Sequence, residues 1–172
     1  MANTFVLISS STLGSSTSSV TFSSIPSTYT DLVLKWSSRD GRSNVENSIY
    51  LSFNATTTGY SDIWMRGNGS AVFTSSDTGN AYVYIPFGSD GSTATASTYS
   101  LGEVYLPNYT AAKAKPVFIS NGEETNAATA YIAVTAGMWN NTAAVSSITM
   151  TSASSNSFLS GSSFYLYGIK NS

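Results

Sequence analysis

The sequence predicts an all-β protein: a single antiparallel β-sandwich over residues 1–172, built from about ten to twelve short strands. Three observations carry this. First, Leu32, Leu34 and Trp36 alternate with Val33, Lys35 and Ser37, and Ile49, Leu51 and Phe53 alternate with Tyr50, Ser52 and Asn54. Strict alternation puts successive side chains on opposite faces of a strand, so each segment has a large apolar face and a more polar one. Second, Ser and Thr together fill 55 of 172 positions and 13% of residues are aromatic, a composition that suits strands and turns over long helices. Third, turn signals separate the short apolar runs throughout the chain, the spacing of a β-sandwich or barrel.

Taken in order, Thr4–Ile8 is a short apolar β-type run, followed by a Ser/Thr/Gly stretch over 9–19 that reads as a loop or wide hairpin connection. Residues 1–18 are thus either an N-terminal arm or a first strand plus loop; an arm could add a strand to a partner's sheet. Ser19–Phe22 is a second strand, ended by Ile25-Pro26. The central pair follows, as two antiparallel strands at the heart of the sandwich. The interval Arg39–Glu46 between them holds four charges and a glycine and reads as a turn or exposed connection. Ile63-Trp64-Met65 forms a strand before the turn Gly67-Asn68-Gly69, and Ala81–Pro86 forms the next. Leu101–Leu106 closes on Pro107, while Pro116 fits the start or edge of Lys115–Ser120. Asn121–Asn126 is a turn signal. Ala130–Trp139, the longest apolar run, reads as a strand buried on both faces, although its pattern alone also permits a short helix. Ile148–Thr151 and Ser163–Ile169 complete the set.

Composition narrows the function classes. Charged residues make up only 9% and the net charge is -2, with no basic stripe to neutralise phosphates, so nucleic-acid binding is not expected. No apolar run approaches 18 residues, so no membrane insertion is expected either. The N-terminus lacks the charged start and apolar core of a secretory signal. There is no cysteine for disulfides or thiolate metal sites. Asn54, Asn68, Asn108 and Asn140 head N-x-S/T triplets, which arise by chance in such a chain and are expected to be unmodified.

The inventory for catalysis is thin. Without histidine, a Ser-His-Asp triad and the common zinc sites are excluded. A glycosidase needs two carboxylates across one cleft, which leaves Asp31, Asp62, Glu103 and Glu123 as formal candidates. Asp77, Asp90, Glu123 and Glu124 could contribute to calcium binding, but no D-x-D-x-D-G loop is present and they read as solvated turns. No catalytic residue, cofactor or metal is expected. Among the aromatics, Trp36 shares the phase of Leu32 and Leu34 and reads as core. Trp64, near the Gly-rich turn, is the better exposed, and Trp64, Tyr60 and Tyr109 are the candidate glycan or interface contacts. In an aromatic-rich β-protein with few charges, core packing or an interface explains these rings more readily than sugar stacking.

Several segments, standing in one order over most of the chain, carry a resemblance: NTFVLISSSTLGSS, VTFSSIPSTYTDLVLKWSSR, SIYLSFN, GEVYLPNY, GMWNNTAAVSSITMTSAS and FYLYGIKNS. They resemble small structural proteins of cyanophages and other marine tailed phages, which also occur as tail-fibre-type modules. The resemblance implies a jelly-roll-like sandwich on the virion exterior, a capsid decoration or head/tail fibre-type component. It implies binding to other virion proteins, homo-oligomers with trimers favoured, synthesis in the host cytoplasm without secretion, and no enzymatic activity. The alternative it leaves open is a host-receptor or carbohydrate-binding module of an adhesin. A chain that begins at Met and stops just after its last strand, without a shaft, fits a bound decoration better than a free-standing fibre.

Overall fold

A computed structural model describes residues 4–127 and 129–170. Twelve strands form: β1 (Phe5–Thr12), β2 (Ser19–Phe22), β3 (Asp31–Ser38), β4 (Glu46–Phe53), β5 (Tyr60–Gly67), β6 (Val72–Asn80), β7 (Val83–Asp90), β8 (Ser100–Leu106), β9 (Lys115–Glu123), β10 (Tyr131–Trp139), β11 (Ile148–Ser152) and β12 (Ser163–Ile169). All the strand pairings are antiparallel. They build an eight-stranded sheet in the order β1-β12-β3-β8-β9-β10-β5-β6 and a four-stranded sheet in the order β2-β11-β4-β7.

The pairing is nested. β5 pairs with β6, β4 with β7, β3 with β8 and β2 with β11, so the chain folds back on itself about the β5–β6 hairpin while crossing between sheets. That winding is a jelly roll in which the meander β8-β9-β10 takes the place of one strand and β12 and β1 extend the β3 edge. At the hairpin tip, Gly69 takes a φ of +81° and Asn68 Oδ1 accepts the backbone N–H groups of Ser70 and Ala71 at 3.1 and 2.8 Å. These are the positive φ and the Asx-type bonding expected of a tight turn.

The two alternating segments do lie at the centre, but in opposite sheets. Leu32, Leu34 and Trp36 of β3 and Ile49, Leu51 and Phe53 of β4 are all buried in the one core between the sheets. Each such side chain contributes about 1.5–3 kcal/mol before entropy is set against it. Because 39–46 joins two sheets, it passes over the end of the core, and the expectation of an exposed connection is only partly met. Asp40 and Glu46 are buried. Arg39 donates to the carbonyls of Ser92, Ala94, Thr95 and Thr98 at 2.7–3.2 Å. Asp40 Oδ2 accepts from Asn47 and Ser152, and Oδ1 from the Arg42 N–H. Buried polar groups need these partners.

Other elements depart from expectation for local reasons. β6, with no apolar alternation, was not anticipated; it is an exposed edge strand held by β5. Asn121–Glu123 continue β9 because Asn121, Gly122 and Glu123 pair with Ala133, Ile132 and Tyr131. β1 pairs with β12 of the same chain, so its strand belongs to this sheet; residues 1–3 of the proposed arm, and 171–172 of the closing segment, lie outside the described residues. Pro116 is the second residue of β9, beyond the last pair with β8, where a missing N–H costs no ladder bond to that neighbour. β10 is a strand, yet only one of its faces is buried: Ala133, Thr135, Gly137 and Trp139 point inward, and Ile132 and Met138 are exposed.

Candidate interaction surface

The register of the eight-stranded sheet explains where the second apolar set goes. The residue pairs Ala136 with both Ile63 and Phe118, and Val134 with Met65, so these side chains share the face turned away from the core. The same face takes Ile132 and Met138 from β10, Leu101 and Tyr105 from β8, and Val72 from β6. Ile132 is 70% exposed, Leu101 and Val72 66%, Ile63 59% and Phe118 54%. At the far side, β1 and β12 add a second apolar group in which Phe5 and Leu7 are exposed and the Phe5 and Tyr167 rings lie 4.7 Å apart. Between the two groups, Lys35 of β3 and Glu103 of β8 pair directly, Nζ to Oε2 at 3.0 Å.

No helix or third layer covers this face among the described residues. Eight strands about 4.8 Å apart, each presenting about 20 Å of length, give a whole face of roughly 700 Å², on which Ser61, Thr74, Ser76, Ser120, Lys35 and Glu103 interrupt the apolar side chains. Contiguous apolar patches beyond a few hundred Å² mark interaction sites in soluble proteins, and about 800 Å² per partner is the size of a standard interface. Between Ile63, Met65, Phe118, Val134 and Ala136 the face dips into an apolar hollow of about 280 Å³. A similar hollow of about 250 Å³ lies beside Val72 and Ile132. Such relief can seat side chains of a neighbour.

The residues singled out from sequence fall elsewhere. Tyr60 and Tyr109 are fully buried, so as surface contacts they are corrected. Tyr60 packs with Phe53 and Trp139 at ring distances of 6.2 and 6.1 Å, and its hydroxyl accepts the Phe53 N–H at 2.8 Å and shares a 2.8 Å hydrogen bond with the Thr56 hydroxyl. Tyr109 donates its hydroxyl to the Pro26 carbonyl. In both cases the fold places a backbone acceptor or donor within reach of the phenol, local for Tyr60 and from a distant loop for Tyr109, which makes burial of the ring favourable. Trp64 is half-buried and, by alternation with Ile63 and Met65, lies on the opposite side of the sheet. Trp36 is core, its Nε1 donating to the Gly88 carbonyl at 2.7 Å.

Two sets of carboxylates come together, Glu123 with Asp90 and Glu46, and Asp62 with Asp77, while Glu103, Asp31 and Glu124 are held singly. Glu103 is taken by Lys35, and Asp31 accepts from the Tyr105 hydroxyl and the Asn108 N–H. Glu124 Oε1 accepts the Asn126 N–H. Glu123 and Asp90, expected in solvated turns, are buried because β7 and β9 run on past the predicted strand ends. Burial pushes the Glu123 carboxyl up to about 8, with Asp90 and Glu46 adding to the shift. Among the described residues no group of three or more metal-ligating side chains could hold an ion. Asn54 and Asn68, two of the triplet asparagines, spend their side-chain oxygens on backbone N–H groups.

Sequence reasoning did not single out Leu101, Phe118 or Ile132. A signal was present: in Leu101–Leu106 and Ala130–Trp139 both alternating sets contain apolar residues, which asks for cover on two faces. No family model, curated protein or solved structure matches the chain.

Proposed function

We propose that this chain is a structural protein that acts by protein–protein binding, with copies of itself as the first partner. The observation that carries the reading is the uncovered apolar face of the eight-stranded sheet. Its central charges neutralise each other through Lys35 and Glu103, so it offers an oppositely charged partner little to grip. An apolar, charge-balanced face of near-interface size suits a second copy of the same surface chemistry. The two apolar groups on either side of that ion pair allow each subunit to give one group to each neighbour in a closed ring, and three is the number that the sequence resemblance favours.

The setting proposed for this assembly is the exterior of a tailed-phage virion, as a capsid decoration or head/tail fibre-type component. The ordered sequence resemblance and the jelly-roll winding support it. A Ser/Thr-rich surface with few charges also packs against a large assembly without stranding ions in the contact. Cryo-electron microscopy of purified particles tests the setting. Density of this sandwich on the capsid lattice or at the tail is expected, and particles from which the chain is absent overturn it.

A further inference from the structure

The eight-stranded sheet is wider than the four-stranded one, and the difference leaves a step. β7 is the edge of the smaller sheet, while β5 and β6 of the larger sheet reach past it. The floor of the step carries Trp64 and Asp77, and its wall carries Tyr82 and Tyr84. Trp64, Asp77, Asn80, Tyr82 and Tyr84 line a cleft of about 250 Å³. Tyr82 also borders a second cleft of about 340 Å³, walled by Tyr50 and floored by small hydroxyl residues such as Ser52, Thr149 and Thr151.

The rings of this region are held in place. Tyr82 stacks on Tyr50 with centroids 3.7 Å apart and planes 15° off parallel. The Trp64 ring sits 5.9 Å from that of Tyr84. Tyr84 is fixed twice: its hydroxyl shares a 2.6 Å hydrogen bond with Ser48, and its backbone N–H is accepted by Asp62 Oδ2 at 3.0 Å. Asp62 is buried, stands opposite Asp77 across β5 and β6, and so acts as a positioning residue for the wall. The nearest cation, Arg66, lies over the rings of Phe87 at 4.1 Å, Phe73 at 4.7 Å, Tyr131 at 5.5 Å and Trp64 itself at 5.9 Å.

We propose that the two clefts, which meet at Tyr82, form one binding site for a neutral oligosaccharide. The electron-rich faces of Trp64 and Tyr84, with the face of Tyr82 that Tyr50 leaves free, suit the C–H faces of a sugar ring. Asp77 accepts from, and Asn80 both donates to and accepts from, neighbouring hydroxyls. A few convergent polar groups against an aromatic lining are the ordinary make-up of a small-ligand site. Neutrality follows from charge: Asp77 lines the cleft with Asp62 opposite it, whereas Arg66 is not part of the lining, so a sialic or uronic acid is repelled. The Trp64 side chain lies on the opposite side of the sheet from Ile63 and Met65, so the sugar site is distinct from the outer face proposed for assembly, although Trp64 also borders the hollow there.

An array of neutral and acidic oligosaccharides, followed by titration of Trp fluorescence with the best neutral tetrasaccharide, tests the site in the full chain. Trp36 and Trp139 are buried, so the signal reports Trp64. Binding of a neutral glycan is expected, weakened about tenfold or more by Trp64→Ala and by Asp77→Ala. Asp77→Asn, at an exposed position, separates lost recognition from lost folding. No neutral glycan bound at about 10 mM overturns the proposal, as does binding restricted to acidic glycans or binding that survives Trp64→Ala.

Discussion

Lys35 Nζ lies 3.0 Å from Glu103 Oε2 across β3 and β8, and this is the one ion pair found among the described residues. Both side chains are close to half exposed, so in the isolated chain the pair contributes only about 0.2–1 kcal/mol. Its position matters more than that energy, because it stands between two apolar groups on a face proposed to be covered.

Covering the face turns a weak surface pair into a buried one, where removing one partner strands the other. Glu103→Ala is therefore expected to lower self-association about tenfold or more while changing thermal stability little. The double variant Lys35→Met with Glu103→Met is expected to restore it. Sedimentation equilibrium on the three proteins checks this order.

Trp36 and Gly102 give a prediction about the core. They are direct cross-strand partners, and the indole lies so close over Gly102 that an added Cβ would stand 2.2 Å from its ring. The indole cannot retreat easily because Nε1 is bonded to the Gly88 carbonyl. Gly102→Ala is expected to cost about 1–3 kcal/mol by overpacking, read as a lowered denaturation midpoint.

Glu123 predicts how stability changes with pH. Both its carboxylate oxygens are buried without a hydrogen-bond partner, and the group titrates near 8 when folded against an ordinary value of 4.5. Between those two values the folded chain holds a proton that the unfolded chain has released, so stability falls as pH rises. The contribution is full below 4.5 and lost once pH passes about 8. Burial shifts Asp40, Asp62 and Asp90 in the same direction, so these three add to the same slope. Glu123→Gln isolates one group: it is expected to flatten the slope and stabilise the protein at pH about 8 in urea melts.

The bounds of β2 and β12 were legible to the residue, because Ser19–Phe22 alternates cleanly and Ser163–Ile169 is an aromatic-rich β-type run set off by polar and glycine residues. β6 was not, because Val72–Asn80 is mostly small and polar and owes its form to pairing with β5. Alternation says that Trp36 and Phe53 are buried, but not that they come from opposite sheets; that follows from the nested crossings. The apolar run of β10 was read as needing two covered faces. Within this chain it has one, so the requirement was legible while the missing layer was not. Trp64 was visible as a candidate contact, whereas Asp77 and Asn80 reach it through the pairing of β5 with β6, and Tyr82 and Tyr84 through the offset between the sheets.

The central claim is that Ile132, Phe118 and their neighbours form a contact between copies. Sedimentation velocity of the wild-type chain beside Ile132→Asp and Phe118→Asp tests it most directly. A three-chain species is expected for the wild type at about 100 μM, and single chains for both variants with circular dichroism unchanged. A wild-type protein that sediments as single chains at that concentration, or an oligomer that survives both substitutions, contradicts the account.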